Sequence, residues 1–296
     1  MAEGRGPVLV LGGSGLVGHA VMRVAKGRGL DAVGTYHRFA VPGLLAWDGA
    51  PASYETLVES VAPRVVVYAA GFTNVDACEA REEEALHWNA TVPSAVAAAS
   101  RSGAFVYLST EYVFDGASGP YAEDDPVHPL SAYGRSKVAG EHAVLAAHPD
   151  ALIVRTTVVY GPDLQGKSFV AQLRRRLGNR ERMRVPHDQV STPTYSVDLA
   201  ARTLDLVDRG SSGVWHVTGP ARVDRFSFAT SAAAAFGLDS TLLDSVSTAD
   251  LGQVATRPLQ AGLSIAKLVT MFGTGATRSP AEGLADCAAR DQALVR

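Results

Sequence analysis

Cysteine is scarce in this chain of 296 residues: Cys78 and Cys287 stand alone, in unrelated contexts. Two isolated thiols make neither a disulfide framework nor a metal-ligand spacing, and they suit a reducing, cytoplasmic setting. Charge is sparse too, at 19% of residues, with a formal net charge of -3. That balance lacks the basic footprint that draws nucleic acid or an anionic membrane surface. Long apolar runs are missing: the stretch from Ala151 to Val154 is broken by Arg155, far short of the roughly 20 residues that cross a bilayer. The opening residues, Met1-Ala2-Glu3-Gly4-Arg5-Gly6, lack the apolar centre of a signal peptide. A soluble cytoplasmic protein with no nucleic acid, membrane or metal partner is expected, and a homodimer is compatible with this composition.

What the chain does have is alternation. Short apolar runs at 7–11, 32–36, 44–47, 65–70, 105–109 and 152–159 are separated by helix-like stretches at 16–28, 52–61, 82–102 and 136–147. Continuous apolar runs suit strands buried on both faces, and their alternation with helices predicts an α/β fold with a doubly wound parallel sheet. The second half is cut into shorter pieces by Gly161-Pro162, Pro193 and Gly219-Pro220. The chain is long enough for more than one core. The division expected is a sheet domain over residues 1–157, with 190–217 returning to it. A smaller, partly interleaved C-terminal substrate domain then takes 158–189 and 218–296.

The first strand runs into Gly12-Gly13-Ser14-Gly15-Leu16-Val17-Gly18. Gly12 makes a tight turn, Gly15 lets a pyrophosphate approach the backbone, and Gly18 lets helix pack on strand. The N–H groups around Leu16 and Val17 then face the phosphates from a helix N-terminus. This strand–turn–helix setting predicts a Rossmann-type domain that binds a nicotinamide dinucleotide. An acidic residue at the end of the second strand selects NAD, yet this segment reads Gly34-Thr35-Tyr36-His37-Arg38. Arg38, with His37, offers charge-assisted bonds to a 2′-phosphate, which favours NADPH and leaves NADH as the second choice. The plain alternative is a solvated arginine in a loop.

A second constellation follows the strand at 105–109. Thr110 stands at the strand's C-terminal end, where open α/β sheets bind ligands. Further on, Tyr133 and Lys137 are four apart in Ser131-Ala132-Tyr133-Gly134-Arg135-Ser136-Lys137, a spacing that puts both on one face of a helix. A phenol titrates near about 10 and needs a nearby ammonium to serve as an acid at neutral pH. Thr110 would hold a carbonyl oxygen, Tyr133 would protonate it, and Lys137 would tune the phenol and hold the nicotinamide ribose. Tyr-x-x-x-Lys alone is as consistent with a solvated helix face; its position after the strand and the glycine turn gives it weight.

These residues resemble the extended short-chain dehydrogenase/reductase family, in its sugar-nucleotide ketoreductase branch. The likeness runs through Ala69-Ala70-Gly71-Phe72-Thr73-Asn74-Val75-Asp76, Asn89-Ala90-Thr91, residues 109–116, YGRSKVAGE from Tyr133 to Glu141, Arg155-Thr156, Val159-Tyr160-Gly161, Asp188-Gln189, Pro193-Thr194 and Arg257-Pro258. The resemblance implies reduction of the 4-keto group of a nucleoside-diphosphate (dTDP) deoxysugar by Thr110, Tyr133 and Lys137. It implies that Asp48, Ala69, Ala70 and Gly71 line the cofactor, and that Thr73 and Val75, with Glu111, Tyr112 and Val158, border the sugar. Three positions depart from the family: Glu111 replaces the usual Asp, Val158 replaces a tryptophan, and Ser168 replaces an Asn. An epimerase or dehydratase holding NAD is a second reading, weakened because Glu111 is followed by Tyr112 and not by another carboxylate. A non-catalytic NADP-binding regulatory subunit of the same branch is a third, and the intact Thr110, Tyr133 and Lys137 speak against it.

Overall fold

The structure, a computed structural model, describes residues 6–100 and 103–294. The opening residues 1–5 and the last two residues of the helix expected at 82–102 lie outside that range. Seven parallel strands form one sheet in the order Gly213–His216, β6, β5, β4, β1, β2, β3. Here β1 is Val8–Leu11, β2 Ala32–Tyr36, β3 Leu45–Ala46, β4 Val65–Tyr68, β5 Ala104–Thr110 and β6 Leu152–Thr156. Chain order reverses between β1 and β4, the switch point at which such sheets open a crevice for ligands.

The strands read as unbroken apolar runs because both faces are covered. Val8 and Val10 face helices α1 (Leu16–Gly27) and α8 (Ser196–Asp208), among Ala20, Val21, Leu199 and Leu204. Leu9 and Leu11 face the other way, towards Trp88, Val92, Val96 and Val144. This alternation is the period of two that a strand imposes. Each such aliphatic side chain, fully buried, contributes roughly 1.5–3 kcal/mol.

The second layer is built from α2 (Pro51–Val61), α3 (Val75–Ala80), α4 (Glu82–Leu86), α5 (Val92–Ala99) and α6 (Ala132–Ala147). The long helix expected at 82–102 is therefore interrupted. A π-helical turn, His87–Thr91, separates α4 from α5 and carries Asn89 inward to full burial. Helix α6 begins a turn earlier than its apolar pattern suggests, because Ser131 caps it, accepting a bond from Gly134 N at 3.2 Å.

The smaller lobe packs α7 (Phe169–Gly178), α9 (Arg225–Ala235) and α11 (Pro280–Leu294) around Tyr160, Leu173, Val185, Phe228 and Leu284. A parallel ribbon of Met183–Pro186 with Leu243–Val246 closes it. Helix α10 (Ala266–Phe272) lies against the strand Gly213–His216. Ser168, at the position of the family's Asn, caps α7 by accepting from Ala171 N at 3.3 Å. A serine does that job as well as an asparagine. Among the described residues no helix is long and apolar enough to cross a membrane.

Candidate active site

The glycine turn sits at the switch point. Gly12 has φ +90, and a Cβ there would fall 2.8 Å from the backbone of Ala69 and Ala70, which leave β4. A Cβ at Gly18 would fall 2.2 Å from Gly12 O. Both glycines are therefore demanded by the fold. Gly15 differs: besides its chain neighbours, the one atom within 4 Å of an added Cβ is Gly12 O, at 3.3 Å. Its missing side chain keeps open the face in front of α1. That helix starts with no side-chain cap and no acidic residue in its first turn, so the N–H groups around Leu16, Val17 and Gly18 present about half a positive charge to an anion. Thr35 braces the turn from β2, its Oγ1 accepting from Gly12 N at 3.1 Å. This cradle fits a dinucleotide pyrophosphate.

Beyond β2, His37 and Arg38 are exposed. The His37 ring centre lies 4.8 Å from that of Trp88, and its Nδ1 is 3.3 Å from Trp47 O. Arg38 pairs with Glu84 at 3.1 Å while its side chain stays 69% exposed. Asp48 uses Oδ1 to hold the start of α2, accepting from Ala50 N at 2.9 Å and Ser53 Oγ at 2.6 Å, and these bonds hold its carboxyl below the usual range. Gly71 is exposed beside Asn89, which accepts from Phe72 N at 2.9 Å and donates to Phe72 O at 3.0 Å.

Thr110 ends β5, buried, in register with Thr156 of β6. Its Oγ1 accepts from Tyr112 N at 3.3 Å, and its hydroxyl lies near enough to the phenol of Tyr133 on α6 to act on its ionisation. Around Tyr133 pack Cys78, Ala132, Phe72, Val75 and Tyr112, and the Tyr112 ring stands edge-on to it at 5.6 Å. Thr73 is exposed on the same loop, and Val75 starts α3 behind an Asn74 cap.

Lys137 lies one turn along α6, but its ammonium is not directed at the phenol. Nζ donates to Leu108 O at 2.6 Å and sits 4.0 Å from the centre of the Tyr107 ring. Burial pushes the lysine down to about 7, opposed by Glu141. The Tyr133 phenol is pushed up by its own burial, with the Thr110 hydroxyl opposing. The expected lowering of the phenol by the ammonium is thus absent, because both groups are desolvated and the lysine is bonded elsewhere.

Glu111 was expected against the sugar, and the structure assigns its carboxylate other partners. It accepts from Thr157 Oγ1, from Ser191 Oγ at 2.8 Å and from Gly262 N at 3.0 Å. It ties the end of β5 to the smaller lobe, and burial raises its pKa against those bonds. Val158 follows β6 with φ +42 and packs on the core of the smaller lobe. A β-branched residue in that region is strained by about 1–3 kcal/mol.

Two arginines stand near Tyr112. Arg257 gives Nη2 to Asp76 at 2.8 Å, while its buried Nη1 has no hydrogen-bond partner. Arg225 and Arg257 both act electrostatically on the Tyr112 phenol. Arg257 stands in a motif visible in the sequence; Arg225, at the start of α9, carries no such signal.

A doubly wound sheet with a glycine turn at its switch point is the architecture of dinucleotide-dependent enzymes, here of the extended short-chain dehydrogenase/reductase type. The chain belongs to the family described as the RmlD substrate binding domain, which matches residues 6–292. It is 35% identical over 276 residues to a probable low-salt glycan biosynthesis reductase, Agl14, of Haloferax volcanii, covering 89% of this chain and 91% of that protein. It is 41% identical over 208 residues to the dTDP-4-dehydrorhamnose reductase of Mycobacterium tuberculosis, covering 68% of each. Its fold matches a dTDP-4-dehydrorhamnose reductase of Bacillus anthracis in complex with NADP, with a TM-score of 0.88 and 27% identity over 97% of this chain and 100% of that one.

Proposed function

We propose that this protein is an NADPH-dependent reductase of the 4-keto group of a dTDP-linked deoxysugar, acting as a dTDP-4-dehydrorhamnose reductase. The observation that carries this reading is the placement of the buried Thr110, at the C-terminal end of β5, beside the buried Tyr133 phenol of α6. Two hydroxyls held together there can bind one carbonyl oxygen, and Tyr133 can pass its proton to that oxygen as negative charge develops. The reduced nicotinamide supplies the hydride when bound. The N–H groups ahead of α1 would hold its pyrophosphate, and Arg38, with no carboxylate in its own segment, would meet the 2′-phosphate. Lys137, anchored on Leu108 O one turn along α6, would hold the nicotinamide ribose beside Tyr133. Arg225 and the free Nη1 of Arg257 meet the substrate diphosphate.

A dehydratase reading needs a free acid–base pair beside Thr110. Glu111 is bound by Thr157, Ser191 and Gly262, and its neighbour is Tyr112, so no such pair exists at these positions. With only two cysteines in the chain, Cys78 and Cys287, both buried and in unrelated contexts, we assign the protein to the reducing cytoplasm. The test is oxidation of NADPH on addition of dTDP-4-dehydrorhamnose, followed by absorbance. Consumption of NADPH with formation of the reduced dTDP sugar supports the assignment. Failure to oxidise NADPH with any of a panel of dTDP-4-keto sugars overturns it.

A further inference from the structure

At the adenosine end of the cleft, two arginines share one carboxylate. Glu84 on α4 accepts from Arg38 at Oε1, 3.1 Å, and from Arg81 at Oε2, 2.9 Å. The Arg81 guanidinium in turn lies 4.5 Å from the centre of the Phe72 ring. Arg38 follows β2 and Phe72 follows β4, and β1 with its glycine turn runs between those strands. The contacts Arg38–Glu84–Arg81–Phe72 therefore span the switch point from one wall to the other. The two ends are not equally fixed. Phe72 is held at its N–H and its carbonyl by Asn89, whereas the Arg38 side chain is 69% exposed.

We propose that Glu84 sets cofactor preference by competing with the adenosine 2′-phosphate for Arg38. This rests on the reading of Arg38 as the 2′-phosphate ligand. An ion pair this exposed is weak and salt-screened, so a phosphate draws Arg38 away at small cost. Arg81 keeps the carboxylate paired after Arg38 leaves, so the exchange strands no anion. NADH has no 2′-phosphate, so Arg38 stays on Glu84 when NADH binds. Glu84 thereby narrows the gap between the two cofactors, and removing its charge should widen it.

The test measures the Kd of NADPH and of NADH by fluorescence titration at low ionic strength, in wild type, Glu84→Gln, Arg38→Ala and the double variant. Gln keeps the shape and hydrogen-bonding reach of Glu at this half-buried position, so the fold is preserved. Glu84→Gln should bind NADPH about three- to fivefold more tightly, the scale of an exposed pair, with NADH affinity within about twofold. In the Arg38→Ala background the gain from Glu84→Gln should shrink, because no contested cation is left. If Arg38→Ala leaves the NADPH-to-NADH ratio unchanged, the 2′-phosphate reading fails and this proposal with it. If Arg38→Ala collapses the ratio while Glu84→Gln weakens NADPH or leaves it unchanged, Glu84 aligns Arg38 instead of competing for it, and the proposal alone is overturned.

Discussion

Lys137 Nζ donates to the carbonyl of Leu108 at 2.6 Å, two residues before Thr110 on the same strand. The lysine is thereby fixed under the reacting end of β5, in a setting where burial pushes it down to about 7. Below that pH it is a cation beside the site; above it, a neutral amine. Because kcat/KM reports groups of the free enzyme, it should fall as pH rises through about 7. In Lys137→Arg the cation no longer titrates in this range, so that limb should move to higher pH. A limb at the same pH in both proteins would show that another group controls it.

Gly12 and Gly15 separate folding from binding. Gly12→Ala places a Cβ 2.8 Å from backbone atoms at φ +90, and should destabilise the protein by several kcal/mol or prevent folding, as backbone strain and a core clash combine. Gly15→Ala meets one protein atom, at 3.3 Å, so thermal stability should hold within about 1 kcal/mol while NADPH affinity falls tenfold or more, on the order of 1.4 kcal/mol. Melting curves and fluorescence titrations read the two effects. A Gly15→Ala protein that binds NADPH normally would remove the phosphates from this turn.

His216 is fully buried, with Nδ1 3.2 Å from Ser264 O and Nε2 without a partner. Burial, with Arg155 nearby, lowers its pKa to about 3. Its folded pKa lies below its unfolded value of about 6.5, so the unfolded chain binds the proton first. The stability tied to the neutral ring is complete above pH 6.5 and is lost as pH falls towards 3. Urea unfolding at pH 7 and pH 4 should show the wild type losing about 2–3 kcal/mol more than His216→Gln. Equal losses in the two proteins would mean that other groups drive the acid sensitivity.

Local signals in the sequence read well. The strand–turn–helix of β1, the glycines and α1 needs only its own residues, and so does the placement of Thr110 after an apolar run. Boundaries that depend on a single side chain or dihedral read less well. The start of α6 hangs on Ser131 as a cap, and β6 stops at Thr156, just before the positive φ of Val158. The orientation of Lys137 towards Leu108 depends on burial, which i, i+4 spacing does not report. Glu84, Arg225 and the partners of Glu111 meet across 46 to 151 residues of sequence or lie on unmarked helices. No pattern within one segment encodes such contacts.

The chemistry rests on Tyr133, and replacing it with Phe is the most direct test. Tyr133→Phe keeps the ring against Cys78, Ala132 and Tyr112 and removes only the hydroxyl beside Thr110. The measurement pairs NADPH affinity by fluorescence titration with steady-state reduction of dTDP-4-dehydrorhamnose. NADPH affinity should stay near normal while turnover falls by about 10²–10⁴-fold, the usual loss when a general acid is removed. Reduction by Tyr133→Phe within about threefold of wild type, well inside that loss, would contradict the role of Tyr133 as the acid.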